Sequence, residues 1–258
     1  MVIIGKEGRP LKKVVFSVKR AVRGVLLKFP FLYLLISRLR HRSDQSFLAG
    51  AESVTPRTDV LITGLPRTGN SFAVNAFRLA QKRPVRIAHH EYPPAQVVGA
   101  ARYGIPTLVI IRQPDEVVVS RVASHPPLTL AQALDDYVQC YEALIPWRDR
   151  CVVATFEEVV SDFGSVTRRL NEKFNTDFAE FEHTNENVAE AFALIDGRYR
   201  TMGAERDLTF GRMVARPSAE RNDAKAALKV ELESPALQKR RERSWRVYRR
   251  MLSDPQGS

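Results

Sequence analysis

The sequence predicts an α/β protein of three layers, α/β/α, built on a parallel sheet of four to five strands. Three observations predict it. Short apolar runs alternate with helix-period segments from Asp59 to about residue 175, the pattern of a sheet covered on both faces. One run, Thr107-Leu108-Val109-Ile110-Ile111, is continuous and rich in β-branched residues, as a strand buried on both faces requires. Another run, Val60 to Thr63, feeds a loop bounded by Gly64, Pro66 and Gly69. That loop opens a segment in which Phe72, Ala76, Leu79 and Ala80 share one helical face.

Taken in order, strand one is expected over 60–63 and its helix over 70–82. Strand two is expected over 85–88, followed by His89-His90-Glu91-Tyr92 and a helix over 94–103 that Gly104 can close. Strand three is 107–111. Pro114 and two acids then suit the first turn of a helix over 115–124. Thr129 can cap the next helix, whose apolar face is Leu130, Leu134, Val138, Tyr141 and Ile145. Strand four is expected over 151–154, before a helix marked by Phe163, Val166, Leu170 and Phe174. Residues 176–216 are polar with weak periodicity and read as loops with a short helix, a candidate lid. Helices are expected over 219–233 and from Ser234-Pro235 onward, the last strongly basic with Leu237, Tyr248 and Leu252 on one side.

Charge divides the chain. Its formal net charge is +11, yet residues 1–43 hold eleven Lys or Arg against Glu7 alone, leaving about +1 for the rest. Three parts follow: a basic amphipathic arm over 1–45, a linker over 46–57, and a domain over 58–258 with its core at 58–175. The arm contains an apolar run from Phe29 to Ile36, but Lys28 and Pro30 interrupt it and it is too short to span a bilayer. It reads either as a segment packed on the core or as a peripheral contact, through residues 1–43, with an anionic membrane surface. No zinc-finger spacing or aromatic RNA-binding motif is present, so nucleic acid is not the expected partner. Cys140 and Cys151 show no metal-ligand spacing and no disulfide framework, which points to a reducing, cytoplasmic setting, with the inner face of a membrane as the variant.

The loop carries the chemistry. A strand, a Gly-rich turn and a helix N-terminus present backbone N–H groups and the positive end of a dipole, which suits phosphate. Gly64-Leu65-Pro66-Arg67-Thr68-Gly69-Asn70-Ser71 is close to the Walker pattern G-x-x-x-x-G-K-S/T, with Asn70 in the lysine's place. The strong cation is Arg67, three residues earlier. After strand three, Arg112 precedes Ser120 by eight residues, so a strand-end guanidinium and a hydroxyl two turns into the helix can meet on one anion. That pair alone is common on surface helices. Beside the loop it is specific.

Together these stretches resemble the sulfotransferases that use 3′-phosphoadenosine 5′-phosphosulfate (PAPS), a P-loop NTPase-like fold. Pro66-Arg67-Thr68-Gly69-Asn70-Ser71-Phe72 is similar to that family's 5′-phosphosulfate loop, P-K/R-S/T-G-T/N-S/T followed by Trp, Phe or Leu. Arg112-Gln113-Pro114 with Ser120 is similar to its 3′-phosphate motif, and Thr155-Phe156-Glu157-Glu158 to the end of a later strand. Arg216-Pro217-Ser218-Ala219-Glu220-Arg221 resembles a segment of some bacterial members and suggests a further 3′-phosphate contact by Arg216 and Arg221, although Ser218 can equally be a helix cap. The resemblance covers residues 58–175 and implies PAPS as donor, no metal, and an in-line sulfuryl transfer. It assigns Arg67, Thr68, Gly69, Asn70, Ser71 and Phe72 to the phosphosulfate and Arg112 and Ser120 to the 3′-phosphate. Arg67 would be electrostatic only, since an arginine does not donate a proton at neutral pH.

An acceptor hydroxyl or amine must lose a proton, and histidine is the natural base. His90, which precedes Arg112 by 22 residues, matches the family's spacing; His89 is its neighbour and Glu91 a third candidate. His41, His125 and His183 carry no such placement. The expected acceptor is a carbohydrate, lipid or small molecule, which the variable loops do not specify. Two other functions remain open: a P-loop nucleotide kinase or NTPase, and a non-catalytic membrane-surface protein on the same fold. The oligomeric state is not readable.

Overall fold

The computed structural model describes residues 53–89, 92–125, 127–206 and 219–253. The arm, residues 46–52 of the linker, His90, Glu91 and Arg216 lie outside them. Four strands form one sheet: β1 (Val60–Gly64), β2 (Ile87–Ala88), β3 (Thr107–Ile111) and β4 (Val152–Thr155). Every pairing is parallel and the order is β2-β1-β3-β4. The helices in chain order are α1 (Asn70–Ala80), α2 (Pro93–Tyr103), α3 (Pro114–Ser124), α4 (Leu130–Leu144), α5 (Phe156–Ser161), α6 (Phe163–Phe174), α7 (Asn185–Arg206), α8 (Ala219–Leu232) and α9 (Pro235–Leu252), with a 3₁₀ turn over Ile145–Arg150.

The alternation of side chains in each strand makes the three layers. Leu61, Val109 and Ile111 point into one apolar cluster with α2, α3, α4, α8 and α9. Val60, Ile62, Leu108, Ile110, Val152 and Ala154 point into the other with α1, α5, α6 and α7. Both sheet faces are therefore dry, which is why these strands read as apolar runs rather than as alternating ones.

The strand order positions the site. The chain leaves β1 for β2 at one edge, then returns to β3 on β1's other side and continues to β4. β1 and β3 are thus neighbours whose following segments depart in different directions, the switch point where such sheets bind ligands at their carboxyl ends. Leu61 pairs with Thr107 and Gly64 with Ile110, so the loop after Gly64 and the turn after Ile111 leave the same edge side by side.

Three expectations are corrected. Residues 185–206 form one 22-residue helix, α7, and not loops with a short helix. In its first half Val188, Ala191, Phe192 and Ile195, spaced as one helical stripe, meet the second cluster. The polar remainder dilutes the period over the full length. In α9 the buried stripe is Leu237, Ser244, Val247 and Met251, while Leu252 is exposed. The basic character of α9 is also partly neutralised within the fold. Arg241 grips the Asp115 carboxylate with Nε and Nη2 at 2.8–3.1 Å, Arg243 meets Glu142 at 2.8 Å, and Arg240 meets Asp135 at 3.2 Å. β2 is shorter than expected, because Arg86 N–H bonds the Asp59 side chain rather than a strand partner.

Candidate functional site

The loop after β1 is held by its own side chains. The Asn70 amide donates to the Gly64 carbonyl at 2.8 Å and to the Leu65 carbonyl at 3.1 Å, so both of its N–H groups are taken. The Thr68 hydroxyl is fully buried and donates to the Leu65 carbonyl at 2.7 Å. Thr68 N–H reaches the same carbonyl at 3.3 Å. Both Thr68 donors therefore face inward, and the expectation that its hydroxyl meets an anion does not fit this geometry. The Phe72 ring is 4 % exposed and sits among Phe181, His183 and Phe192, where it anchors α1. What this side has to offer an anion is the backbone at the start of α1. Its first turn carries no acid and its cap, Gly69, has no side chain, so the helix itself does not neutralise its dipole end.

Two glycines make the loop possible. A Cβ on Gly64 would lie 2.4 Å from the Ile110 carbonyl oxygen of the neighbouring strand. Gly69 has φ +94° and its missing Cβ leaves room for Phe156, at 3.1 Å. Arg67 also has a left-handed backbone, φ 78°, which costs a non-glycine residue about 1 kcal/mol or more. That conformation aims its carbonyl and its side chain at the other half of the site.

The other half follows β3. Arg112 Nη1 donates to the Arg67 carbonyl at 3.2 Å, and Arg67 Nε donates to Ser120 Oγ at 3.1 Å. The cation of the loop, the strand-end arginine and the helical serine form one connected group. Arg112 is fixed on every side. Its guanidinium lies 4.1 Å from the centre of the Phe156 ring, and Glu116, in the first turn of α3, stands 3.6 Å from Nη2. The Tyr137 hydroxyl donates to its carbonyl at 2.9 Å. One turn on in α4, Tyr141 donates to the Ile110 carbonyl at 2.9 Å and accepts from Leu65 N–H at 3.4 Å, tying β3 to the loop. Burial pushes both phenols above their ordinary pKa, which keeps them as donors. Arg112 Nε is buried and has no hydrogen-bond partner among the described residues. Burial also lowers the Arg112 pKa, opposed by the charges of Glu116 and Glu157.

Among the expected bases, His89 is 1 % exposed at the end of β2. His90 and Glu91 lie outside the described residues, as does Arg216; Arg221 lies on α8, with its side chain outside the description. Sequence reasoning passed over His125, which closes α3 and bonds back to the Arg121 and Val122 carbonyls. Its ring is exposed, yet the surrounding protein lowers its pKa by desolvation, and the positive charges of Arg121 and Arg67 add to this. A neutral imidazole thus stands within the field of Arg67. Only the fold could reveal this, because Arg67 is far away in the chain. Sequence reasoning also missed Tyr137, Tyr141 and Glu116. Tyr141 was visible as part of an apolar stripe and Tyr137 was not, and the target of neither hydroxyl could be read. No group of three or more metal-ligating side chains occurs among the described residues. Cys140 and Cys151 are buried and not in a disulfide, and burial pushes the Cys151 thiol up to about 12.

No protein-family model matches the chain, and no curated protein matches it. Among solved structures, the chain is similar to that of a mouse sulfotransferase, SULT7A1, complexed with PAP. The identity is 12 %, the alignment covers 79 % of this chain and 87 % of that one, and the TM-score is 0.43. That likeness is too loose to carry residues across, so the site stands on its own geometry.

Proposed function

We propose that this protein is a PAPS-dependent sulfotransferase, moving a sulfuryl group to a hydroxyl or amine of a carbohydrate, lipid or small molecule. The observation that carries the reading is the bonded group Arg112–Arg67–Ser120, with Arg67 at its centre. Two stretches chosen from the sequence for two different anionic ends of one donor meet at 3.1 and 3.2 Å. The residues fit such a donor. Two arginines and an uncapped helix N-terminus converge at the switch point, and a buried Arg112 Nε lacks a partner among the described residues.

In this reading Arg112 and Ser120 bind the 3′-phosphate, and the backbone N–H groups at the start of α1 bind the phosphosulfate. Arg67 stabilises the charge that builds on the phosphate oxygen as its bond to sulfur breaks. Ser120 and the left-handed backbone hold Arg67 for that task before the donor arrives. The base takes the acceptor proton as the new oxygen–sulfur bond forms. His90 is the first candidate for it. His125 is the second, favoured by its exposure and by a pKa lowered by desolvation and by the charges of Arg121 and Arg67.

The test is sulfate transfer from labelled PAPS across sugars, phenols, lipids and amines, with PAP binding measured in parallel. His90→Ala is expected to keep PAP binding and lose turnover; if turnover is retained and His125→Ala loses it, the base is His125. Magnesium-dependent ATP hydrolysis above background would favour an NTPase instead. Against that stands Asn70, whose amide closes the loop in the lysine's position. For the membrane-surface alternative, no helix among the described residues is long and apolar enough to cross a bilayer. Liposome co-sedimentation of the full chain against one starting near Ser53 tests the arm.

A further inference from the structure

Glu116 is an awkward residue for an anion site. It lies one helical turn from Arg112, with Oε2 3.6 Å from Nη2, and the Arg112 side chain is only 20 % exposed. A phosphate approaching that guanidinium meets a carboxylate already beside it, and like charges in a partly desolvated place repel more than they do in water.

The structure supplies a counterweight. Lys229 Nζ meets the other oxygen, Glu116 Oε1, at 2.8 Å, the shorter of the two contacts. The Glu116 carboxyl is held below its usual range first by that hydrogen bond, with Arg112 and Lys225 adding to the effect. Lys229 is on α8, far from either motif in sequence. Leu232 is buried in the cluster beneath α3, and Leu228 packs against it, so the ammonium is presented by an anchored helix.

We propose that Lys229 is a positioning residue of the donor site: it draws Glu116 off Arg112 and leaves the guanidinium available to an anionic ligand. The inference rests on the donor-site reading above and adds to it a residue outside every motif. Without Lys229, Glu116 turns fully to Arg112 and competes with the ligand. Without Glu116 there is nothing for Lys229 to restrain.

Calorimetric titration of PAP into the full-length protein tests this in four forms: wild type, Lys229→Met, Glu116→Gln and the double variant. Lys229→Met is expected to weaken PAP about fivefold and Glu116→Gln to tighten it about threefold, the scale of partly exposed ion pairs. In the Glu116→Gln background, Lys229→Met is expected to change affinity less than about twofold, because the pair is already broken. Lys229→Arg should keep wild-type affinity, and thermal midpoints of all forms separate binding from stability. Equal weakening by Lys229→Met in both backgrounds would overturn the proposal, since the ammonium would then act on the ligand directly. No change in either background would overturn it as well. Absence of PAP binding by the wild type would remove the donor-site reading itself.

Discussion

The loop after β1 and the turn after β3 lie side by side and use their polar side chains in opposite ways. In the loop, Thr68 and Asn70 turn inward and close the backbone on itself. In the turn and its helix, Arg112 and Ser120 reach across and bond the loop's Arg67. The first segment is shaped by its own side chains; the second is shaped by the strand and by tyrosines from α4, and its side chains reach outward to Arg67, where the proposed donor would meet them. The contrast teaches that a residue matching a binding motif can serve the loop rather than the ligand. Substitutions in the two halves should therefore separate affinity from stability.

The largest effect expected is on the β3 side. Arg112→Ala should weaken PAP at least about 100-fold, near 3 kcal/mol, a larger effect than the loss of unfolding free energy from its Phe156 contact and its bond to Arg67; calorimetry and urea titration measure the two. Affinity that ignores Arg112 would break the comparison. On the loop side, Gly64→Ala should destabilise by about 2–3 kcal/mol, since the new Cβ meets a backbone oxygen of β3 at 2.4 Å and not a flexible side chain. Asn70→Ala should destabilise by about 2 kcal/mol by removing two buried side-chain hydrogen bonds that close the loop, to the Gly64 and Leu65 carbonyls, and Asn70→Lys should not create ATP binding. Tyr137→Phe sharpens the picture at about 1 kcal/mol: it keeps the ring and removes the bond to the Arg112 carbonyl.

The smallest effect is a pH dependence. His125 has a folded pKa below its unfolded one, so the unfolded chain binds more protons between the two values. Its contribution is intact above the unfolded value, about 6.5, and is lost as pH falls through the folded one. His125→Gln should flatten the decline in stability from pH 7 to 5, read from thermal midpoints. An NMR titration should show the imidazole pKa rise when PAP offsets the charge of Arg67.

Particular residues show how far the sequence reached. Thr107 to Ile111 could be read as a doubly buried strand because its composition records burial on both faces. Gly64, Gly69 and Arg112 could be read because each sits where a period breaks. α7 could not, since half its length carries no apolar stripe. Thr68, Asn70 and Phe72 were assigned to a ligand from motif spacing, and spacing does not say which way a side chain turns. Glu116, Lys229 and His125 carried no signal, because each is defined by a partner on another element.

By itself, then, the sequence determined the alternating elements, the doubly buried sheet and the two stretches of the candidate site, since periodicity and glycine placement are local and survive without partners. Only the tertiary structure decided the strand order that sets β1 against β3, the inward turn of Asn70 and the contact of Arg67 with Ser120, 53 residues away. Those follow from packing and charge between segments distant in the chain, and such interactions leave no period to read.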